Sequence, residues 1–138
     1  VINHITLYKG YPMEFKQNDV PIYIQVAKGL EDSIFIGLYK EGEQIPSTTE
    51  ISLGYSLNPA TVLKGMNLLV QEDIIFKKRG VGMFVSEGAR EKVKTKRMNA
   101  FKESFIEPLV KEARNLGFDK KDLIEIIGKE IENETTSK

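Results

Sequence analysis

The chain has 138 residues and no cysteine. This length suffices for one domain and a small appendage. Without cysteine, disulfides and thiolate chemistry are excluded, and we expect a cytoplasmic protein. The longest apolar runs, such as 74–76, are too short to span a membrane, and the first residues lack the pattern of a signal peptide.

The formal charges sum to zero at pH 7, which alone is unfavourable for a DNA-binding protein. Their distribution is uneven, because basic residues cluster at 77–79 and between 90 and 102, whereas acidic residues collect between 119 and 134. A basic middle is compatible with a localised surface that faces phosphates. The alternative is that these clusters are solvated surface, and for the charges at 90–97 we favour that interpretation.

Residues 1–12 show no helical period, and we expect them to be an extension, natural or left from cloning, that contributes little to the fold. The first helix is predicted over residues 20–38. Asn18 or Asp19 is the expected cap, and Pro21 suits the first turn. Gly37 is expected to end the helix.

Ser47 is predicted to open a short second helix. Glu50 stands three residues later, as a capping box requires. Ile51 and Leu53 are its apolar residues, and Gly54 is placed to let the chain turn.

Asn58 and Pro59 predict the start of a third helix, which extends to about residue 72. Its apolar stripe is expected to be buried and consists of Val62, Met66 and Leu69, flanked by Leu63 and Val70. Its other side carries Ala60, Thr61, Lys64, Asn67 and Gln71. Two β-rich runs follow, joined by RGVG at 79–82, which predicts a hairpin.

Beyond residue 87 the chain is highly charged and helical in propensity. Pro108 is expected to interrupt an apolar stripe and begin a new helix. Residues 116–118 predict a turn, and Asp119 the cap of the last helix. The apolar side chains are too many for a tail of about fifty residues to bury alone. We therefore expect dimerisation through Phe101, Phe105, Leu109, Val110, Ile124, Ile127 and Ile131.

These elements predict an α+β fold. A winged helix-turn-helix occupies residues 13–86, and a short α-helical linker and dimerisation region occupies 87–138. A helix presented after a turn fits the DNA major groove, and a neighbouring basic hairpin can reach phosphates.

Residues 21–85 resemble the winged-helix domain of GntR-type bacterial transcription regulators. The resemblance rests on PIYxQ at 21–25, GxxxxGxx[IL]PS at 37–47, NPxTV at 58–62 and [KR]RGxGxFV at 78–85. Several motifs in the right order make the signal specific. The Asn-Pro start of the third helix and the short tail look like the YtrA subfamily, and this implies a dimer paired mainly by its C-terminal helices.

The resemblance implies that the third helix reads the major groove and that the wing lies along a backbone or the minor groove. The implied DNA-binding residues are Ser47, Thr48, Thr49, Asn58, Ala60, Thr61, Lys64, Lys78, Arg79, Gly80 and Gly82. Thr49 departs from the family, which usually has arginine there. Loss of a guanidinium removes a strong contact to phosphate or base and affects affinity or the preferred operator.

Several of these residues also have a purely structural interpretation. Ser47 and Asn58 are good caps in any protein, Gly80 and Gly82 allow a tight turn, and Lys64 can be a solvated lysine. His4 is the only histidine, and neither a nucleophile–base pair nor a metal-binding pattern is visible, so we expect no enzyme, cofactor or metal.

The expected function is sequence-specific binding of double-stranded DNA at a two-fold operator by a homodimeric transcriptional repressor. The alternative is a winged helix that serves only as a protein-interaction module, which Thr49 and the zero net charge slightly favour. A small-molecule effector is left open.

Overall fold

The computed structural model describes residues 5–7 and 11–136. It divides into two compact units, an N-terminal unit of residues 1–95 and a C-terminal unit of residues 96–138. The N-terminal unit contains strands β1 (Ile5–Leu7) and β2 (Tyr11–Met13), helices α1 (Ile22–Phe35), α2 (Thr48–Tyr55) and α3 (Pro59–Gln71), and strands β3 (Ile75–Lys78) and β4 (Gly82–Val85). Helix α4 (Ala89–Phe101) begins in this unit. Three helices followed by a hairpin confirm the predicted winged helix-turn-helix.

The first strands form a hairpin that the sequence did not predict. Strand β1 pairs antiparallel with β2, with Ile5 opposite Met13. The side chain of Met13 is buried and lies against Gly29 of α1. Residues 1–4 and 8–10 of the expected extension lie outside the described residues, and the origin of this segment stays a prediction.

The prediction of a cap at Asn18 or Asp19 is wrong. Helix α1 begins later, with Pro21 at the N-cap position. The Asn18 side chain instead accepts a hydrogen bond from the backbone N–H of Val20 at 2.8 Å, because it closes a turn in the segment that precedes the helix. At the other end α1 stops at Phe35, three residues before the predicted end. Gly37 follows with a φ of 84° and ends the helical run, as predicted.

Gln25 fastens the segment before α1 to the helix. Its Oε1 accepts a hydrogen bond from the backbone N–H of Lys16, and its Nε2 donates to the carbonyl oxygens of Lys16 and Val20, each at 2.8 Å. The conformation before the helix therefore depends on one side chain from its first turns.

The second helix has the predicted capping box but a different turn. Ser47 and Glu50 exchange both hydrogen bonds, and Ile51 is buried, whereas Leu53 is 77% exposed. Gly54 lies inside α2, so the prediction of a turn there is wrong. The chain turns at Ser56, which has a φ of 55°, because the Ser52 hydroxyl donates to the Leu57 carbonyl at 2.6 Å and holds the turn closed.

The core of the N-terminal unit lies between α1 and α3 and extends to the wing. Val62, Met66 and Leu69 are fully buried, as predicted, whereas Leu63 remains exposed. Gly65 allows the two helices to approach closely, because a Cβ atom at this position would lie 2.5 Å from the Tyr23 carbonyl oxygen.

The wing is the antiparallel hairpin of β3 and β4, in which Ile75 lies opposite Val85 and Lys78 opposite Gly82. Residues 42–45 add an edge to it. The N–H of Val85 donates to the Glu43 carbonyl, and the N–H of Ile45 donates to the Met83 carbonyl, both at 2.9 Å. The loop before α2 thus adds to the wing. The sequence predicted only a two-stranded hairpin there.

The C-terminal unit consists of the end of α4, a π-helical segment (Lys102–Ile106), α5 (Glu107–Asn115) and α6 (Lys120–Thr136). The prediction that Pro108 interrupts the helix is wrong in one respect. Ile106 and Glu107 keep helical dihedral angles, and the wider π turn precedes the proline, so α5 begins without a break.

The end of α5 and the start of α6 follow the prediction. Gly117 has a φ of 75°, and the Phe118 N–H donates to the Ala113 carbonyl at 2.9 Å. Asp119 accepts a hydrogen bond from the Asp122 N–H at 2.8 Å. Within residues 5–7 and 11–136, no helix is long and apolar enough to cross a bilayer.

Candidate nucleic-acid interface

The first turn of α3 stands at the surface of the N-terminal unit. Asn58, Pro59 and Ala60 are exposed, and Thr61 is half-buried. The Asn58 Oδ1 accepts a hydrogen bond from the Ala60 N–H at 2.8 Å, so the side chain serves as the predicted cap. Because Val62 lies on the opposite, fully buried side, the first turn is held firmly while its outer face stays accessible.

Lys64 does not extend freely from this face. Its Nζ lies 4.1 Å from the centroid of the Tyr23 ring in α1, a cation–π contact. The lysine is nevertheless exposed, and its four-carbon stem can swing away from the ring. Tyr23 was not among the predicted site residues, although its place in the PIYxQ motif was a signal that could have pointed to it.

The three predicted residues at the start of α2, Ser47, Thr48 and Thr49, lie in different environments. The Ser47 hydroxyl accepts the Glu50 N–H at 3.0 Å. Thr48 is half-buried, and its Oγ1 lies 3.3 Å from the Met66 Sδ in α3. Thr49 is exposed. The Thr48 hydroxyl thus joins α2 to α3 and is directed away from the surface that was predicted for it.

The tip of the wing presents an exposed basic turn. Arg79 is exposed, Gly80 has a φ of 78°, and the Val81 N–H donates to the Lys78 carbonyl at 2.9 Å. The Lys78 ammonium lies 4.8 Å from the centroid of the Phe84 ring. That ring stacks on Phe76 across the strands, with centroids 5.8 Å apart. The wing therefore combines cationic groups with a stiff aromatic base.

Gln44 holds the tip in place and was missed by sequence reasoning. Its Nε2 donates to the Val81 carbonyl at 3.1 Å. Gly82 has a φ of 149°, and a Cβ atom there would lie only 2.4 Å from the same Nε2. The second glycine of the wing motif is thus required where the Gln44 side chain crosses the hairpin. A polar residue just before the Ile-Pro-Ser passage was the available signal.

Both predicted surfaces lie in the N-terminal unit and carry groups suited to phosphates and base edges. Burial raises the pKa of the Tyr39 phenol and the Glu43 carboxylate adds to the rise, so this hydroxyl stays protonated at neutral pH. Among the residues that the structure describes, no group of histidine and acidic side chains could hold a metal ion.

Comparisons with known proteins agree with this geometry. The sequence profile described as "Bacterial regulatory proteins, gntR family" matches residues 22–85. The chain is 32% identical to the HTH-type transcriptional repressor YtrA of Bacillus subtilis over 83% of its own length and 87% of that protein. The chain belongs to the GntR family. It is a DNA-binding transcription regulator with the winged helix-turn-helix of that family.

Solved structures extend the likeness of this GntR-family regulator beyond the winged helix. A GntR-family transcriptional regulator from Bacteroides thetaiotaomicron matches with a TM-score of 0.70 and 28% identity, over 82% of this chain and 98% of that one. BusR of S. agalactiae in complex with its busAB promoter DNA matches with a TM-score of 0.52 and 25% identity, over 85% of this chain and 53% of that one.

Proposed function

We propose that this regulator is a repressor that binds a two-fold operator as a homodimer and reads bases with the start of α3. The observation that carries the proposal is the first turn of α3, which is capped by Asn58, exposed on one side and anchored on the other by Val62. The N-terminal residues of a recognition helix are those that reach base edges. Repression is inferred from the likeness to YtrA, whose name states that activity.

Thr61 and Lys64 are the proposed readers on α3, with Asn58 and Ala60 close to the DNA. Thr61 can bond a base or contact a thymine methyl group. Lys64 reaches DNA only by leaving the Tyr23 ring, to which it is held at 4.1 Å. The exchange is favourable where a phosphate or guanine replaces the ring as partner, because a charge-assisted hydrogen bond is stronger than an exposed cation–π contact.

The start of α2 and the wing are proposed to hold the backbone. Ser47 and the exposed Thr49 lie at the N-terminus of α2, where a phosphate is stabilised by unpaired N–H groups and the helix dipole. Thr48 is proposed to contribute its backbone alone, because its hydroxyl is used against Met66.

Arg79 is proposed to contact a phosphate or the minor groove from the tip of the wing, with Lys78 beside it. Gly80 is proposed to allow close approach of the DNA, since a Cβ atom there would meet nothing within 4 Å. Gly82 is proposed to act indirectly, because it leaves room for the Gln44 side chain that holds the tip.

The dimer is proposed to form through the apolar residues of the C-terminal unit. Its predicted members all remain exposed in the single chain, namely Phe101, Phe105, Leu109, Val110, Ile124, Ile127 and Ile131. Many large exposed apolar side chains on a single chain are typical of an interaction site. A second copy would give the protein a two-fold axis, which matches the two-fold symmetry of the proposed operator.

Selection of bound duplexes from a random library, at two salt concentrations, tests the function directly. We expect enrichment of an inverted repeat at both concentrations, with a steep overall loss of binding at the higher one because phosphate contacts release counterions. Binding without any enriched sequence would contradict the proposed operator and favour a winged helix that serves as a protein-interaction module.

A further inference from the structure

Helix α4 is attached to the N-terminal unit on two flanks of one buried ridge. Ala89 and Val93 are 0% exposed and belong to the core. They stand four residues apart and mark the inward face of the helix. Positions 90 and 92 lie about 80° to either side of that face at 3.6 residues per turn. Two basic side chains of the segment that sequence reasoning treated as solvated surface are therefore placed to reach opposite sides.

The first flank is joined to the end of α1. The Arg90 Nε donates a hydrogen bond to the Phe35 carbonyl at 2.8 Å, and its guanidinium lies 5.4 Å from the centroid of the Phe35 ring. A carbonyl of the last turn of a helix carries the negative end of the helix dipole, which favours a cationic donor.

The second flank is joined to the turn between α3 and β3. The Lys92 Nζ lies 2.8 Å from the Asp73 Oδ2 and donates to the Asp73 carbonyl at 3.1 Å. Asp73 has a φ of 58°, a left-handed conformation that directs both of its oxygen groups to the same ammonium. A third attachment fixes the start of the helix, because the Gly88 N–H donates to the Glu41 Oε1 at 2.7 Å.

These attachments set orientation more than stability. The Lys92 and Asp73 side chains are 42% and 75% exposed, and an ion pair this exposed contributes little to folding. The burial of Ala89 and Val93 holds the helix down but is not directional. Hydrogen bonds on opposite flanks are directional, and together they oppose rotation of α4 about its own axis.

We infer that Arg90 and Lys92 are positioning residues that determine which spacing of operator half-sites the regulator accepts. The inference rests on the proposed dimer and two-fold operator. Helix α4 begins in the N-terminal unit and runs on to Phe101, the first of the proposed dimerisation residues. In the proposed dimer, the contacts of Arg90 and Lys92 would therefore limit how far each reading unit can turn. Each base pair added between half-sites shifts the second site by about 3.4 Å and turns it around the DNA axis. A reading unit held in one setting accepts few such changes, whereas one that can rotate accepts more.

The test uses the full chain and the operator from the random-library selection, with the centre shortened or lengthened by one and two base pairs. The measured quantity is the ratio of the Kd on each altered duplex to the Kd on the best one. We expect the double variant R90A/K92A to lower this ratio by about threefold or more, because the loss of directional contacts releases the helix. Lys94→Ala is the matched control, since it removes one positive charge from an exposed position of the same helix.

Asp73→Asn tests the second flank without changing α4. Asparagine tolerates the left-handed backbone but lacks the charge, so we expect the same direction of change as for Lys92→Ala. Combining D73N with K92A should add little to either alone. Sedimentation confirms that each variant is still a dimer, and thermal unfolding confirms that it is folded.

The outcomes separate the two proposals. A wild-type protein that binds all spacings equally would overturn the proposed two-fold operator and this inference with it. A wild-type protein that prefers one spacing, together with R90A/K92A and D73N variants that keep the same ratio, would overturn this inference alone. Lower affinity at an unchanged ratio counts as the second outcome, because it reports lost phosphate attraction and not lost orientation.

Discussion

The two units of this regulator differ in whether their apolar residues are buried. In the N-terminal unit, Val26, Leu30, Ile51, Met66 and Leu69 are buried in one core shared by the helices and the wing. In the described part of the C-terminal unit, residues 96–136, Ala113 is the sole buried hydrophobic residue, while phenylalanine and isoleucine side chains stay exposed.

The difference shows that helices with similar apolar periodicity can either build a core within one chain or leave apolar side chains exposed. The N-terminal unit buries its core within one chain, and the exposed residues at α3 and the wing are those proposed to contact DNA. The C-terminal unit leaves large apolar side chains without cover, which is unfavourable in water unless another surface covers them. Changes in one unit should therefore affect reading, and changes in the other should affect assembly.

The largest effect is expected from Phe105→Glu. A charge in a dimer interface must be desolvated without a partner, so the variant should be a monomer in sedimentation at micromolar concentration. Its affinity for the two-fold operator should fall by about 100-fold or more, because the two half-sites are no longer bound by one linked molecule.

A matched control comes from the N-terminal unit. Ile36 is as exposed as Phe105, at 60% against 64%, but Ile36→Glu should leave the protein dimeric. A Phe105→Glu variant that still sediments as a dimer, or a wild-type protein that is monomeric, would contradict the proposal that the C-terminal unit forms the dimer.

Recognition should respond to Thr61→Ala and Lys64→Ala without any change in assembly. Both variants should remain folded dimers, and at least one should lose about 10- to 100-fold in preference for the selected operator over a single-base variant, as expected for a lost base contact. If Lys64 serves a phosphate instead, its loss weakens all duplexes equally. Full affinity and unchanged base preference in both variants would mean that α3 is not the reader.

Two helical glycines offer a contrast in stability. Gly65→Ala should lower the free energy of unfolding by about 1–3 kcal/mol, because the new methyl group forces α1 and α3 apart. Gly128 lies in α6, where a Cβ atom would meet nothing within 4 Å, so Gly128→Ala should be neutral or stabilising through helix propensity. Denaturant titration measures both. Equal destabilisation by the two substitutions would mean that the α1–α3 contact can adjust to the added methyl group.

The smallest effect is expected at the wing. Arg79→Ala should weaken specific and random duplexes by similar factors and reduce the slope of log affinity against log salt by about 0.9, the value for one phosphate contact. Titrations by fluorescence anisotropy at four salt concentrations measure the slope. An unchanged slope would mean that Arg79 does not contact phosphate.

Elements with strong local signals were predictable from the sequence. The capping box at Ser47, the Asn58 cap with Pro59, the hairpin at 79–82 and the turn at Gly117 depend on neighbours a few residues away, and the structure has them as expected. Helix caps and tight turns rest on local hydrogen bonds and backbone conformations, so the residue types that form them can be recognised in the sequence.

Contacts between distant segments were not predictable in the same way. The Lys64–Tyr23 contact, the Gln44–Val81 hydrogen bond and the attachment of Arg90 to Phe35 each join residues far apart in the chain. The position of the turn after α2 was also predicted wrongly, although it depends on a local side-chain hydrogen bond. Ser56 rather than Gly54 makes the turn after α2, because the Ser52 hydroxyl stabilises a left-handed residue there.

The hydrogen bond from Gln44 to the wing has a consequence for the thermodynamics of association. Restricting one residue to a single backbone conformation costs about 1–2 kcal/mol of conformational entropy. Because Gln44 already holds the Val81 carbonyl, the tip is ordered when the chain folds, and that entropy is not lost again when DNA arrives. Calorimetry should therefore find a smaller unfavourable entropy of association for this wing than for one that becomes ordered only on the duplex.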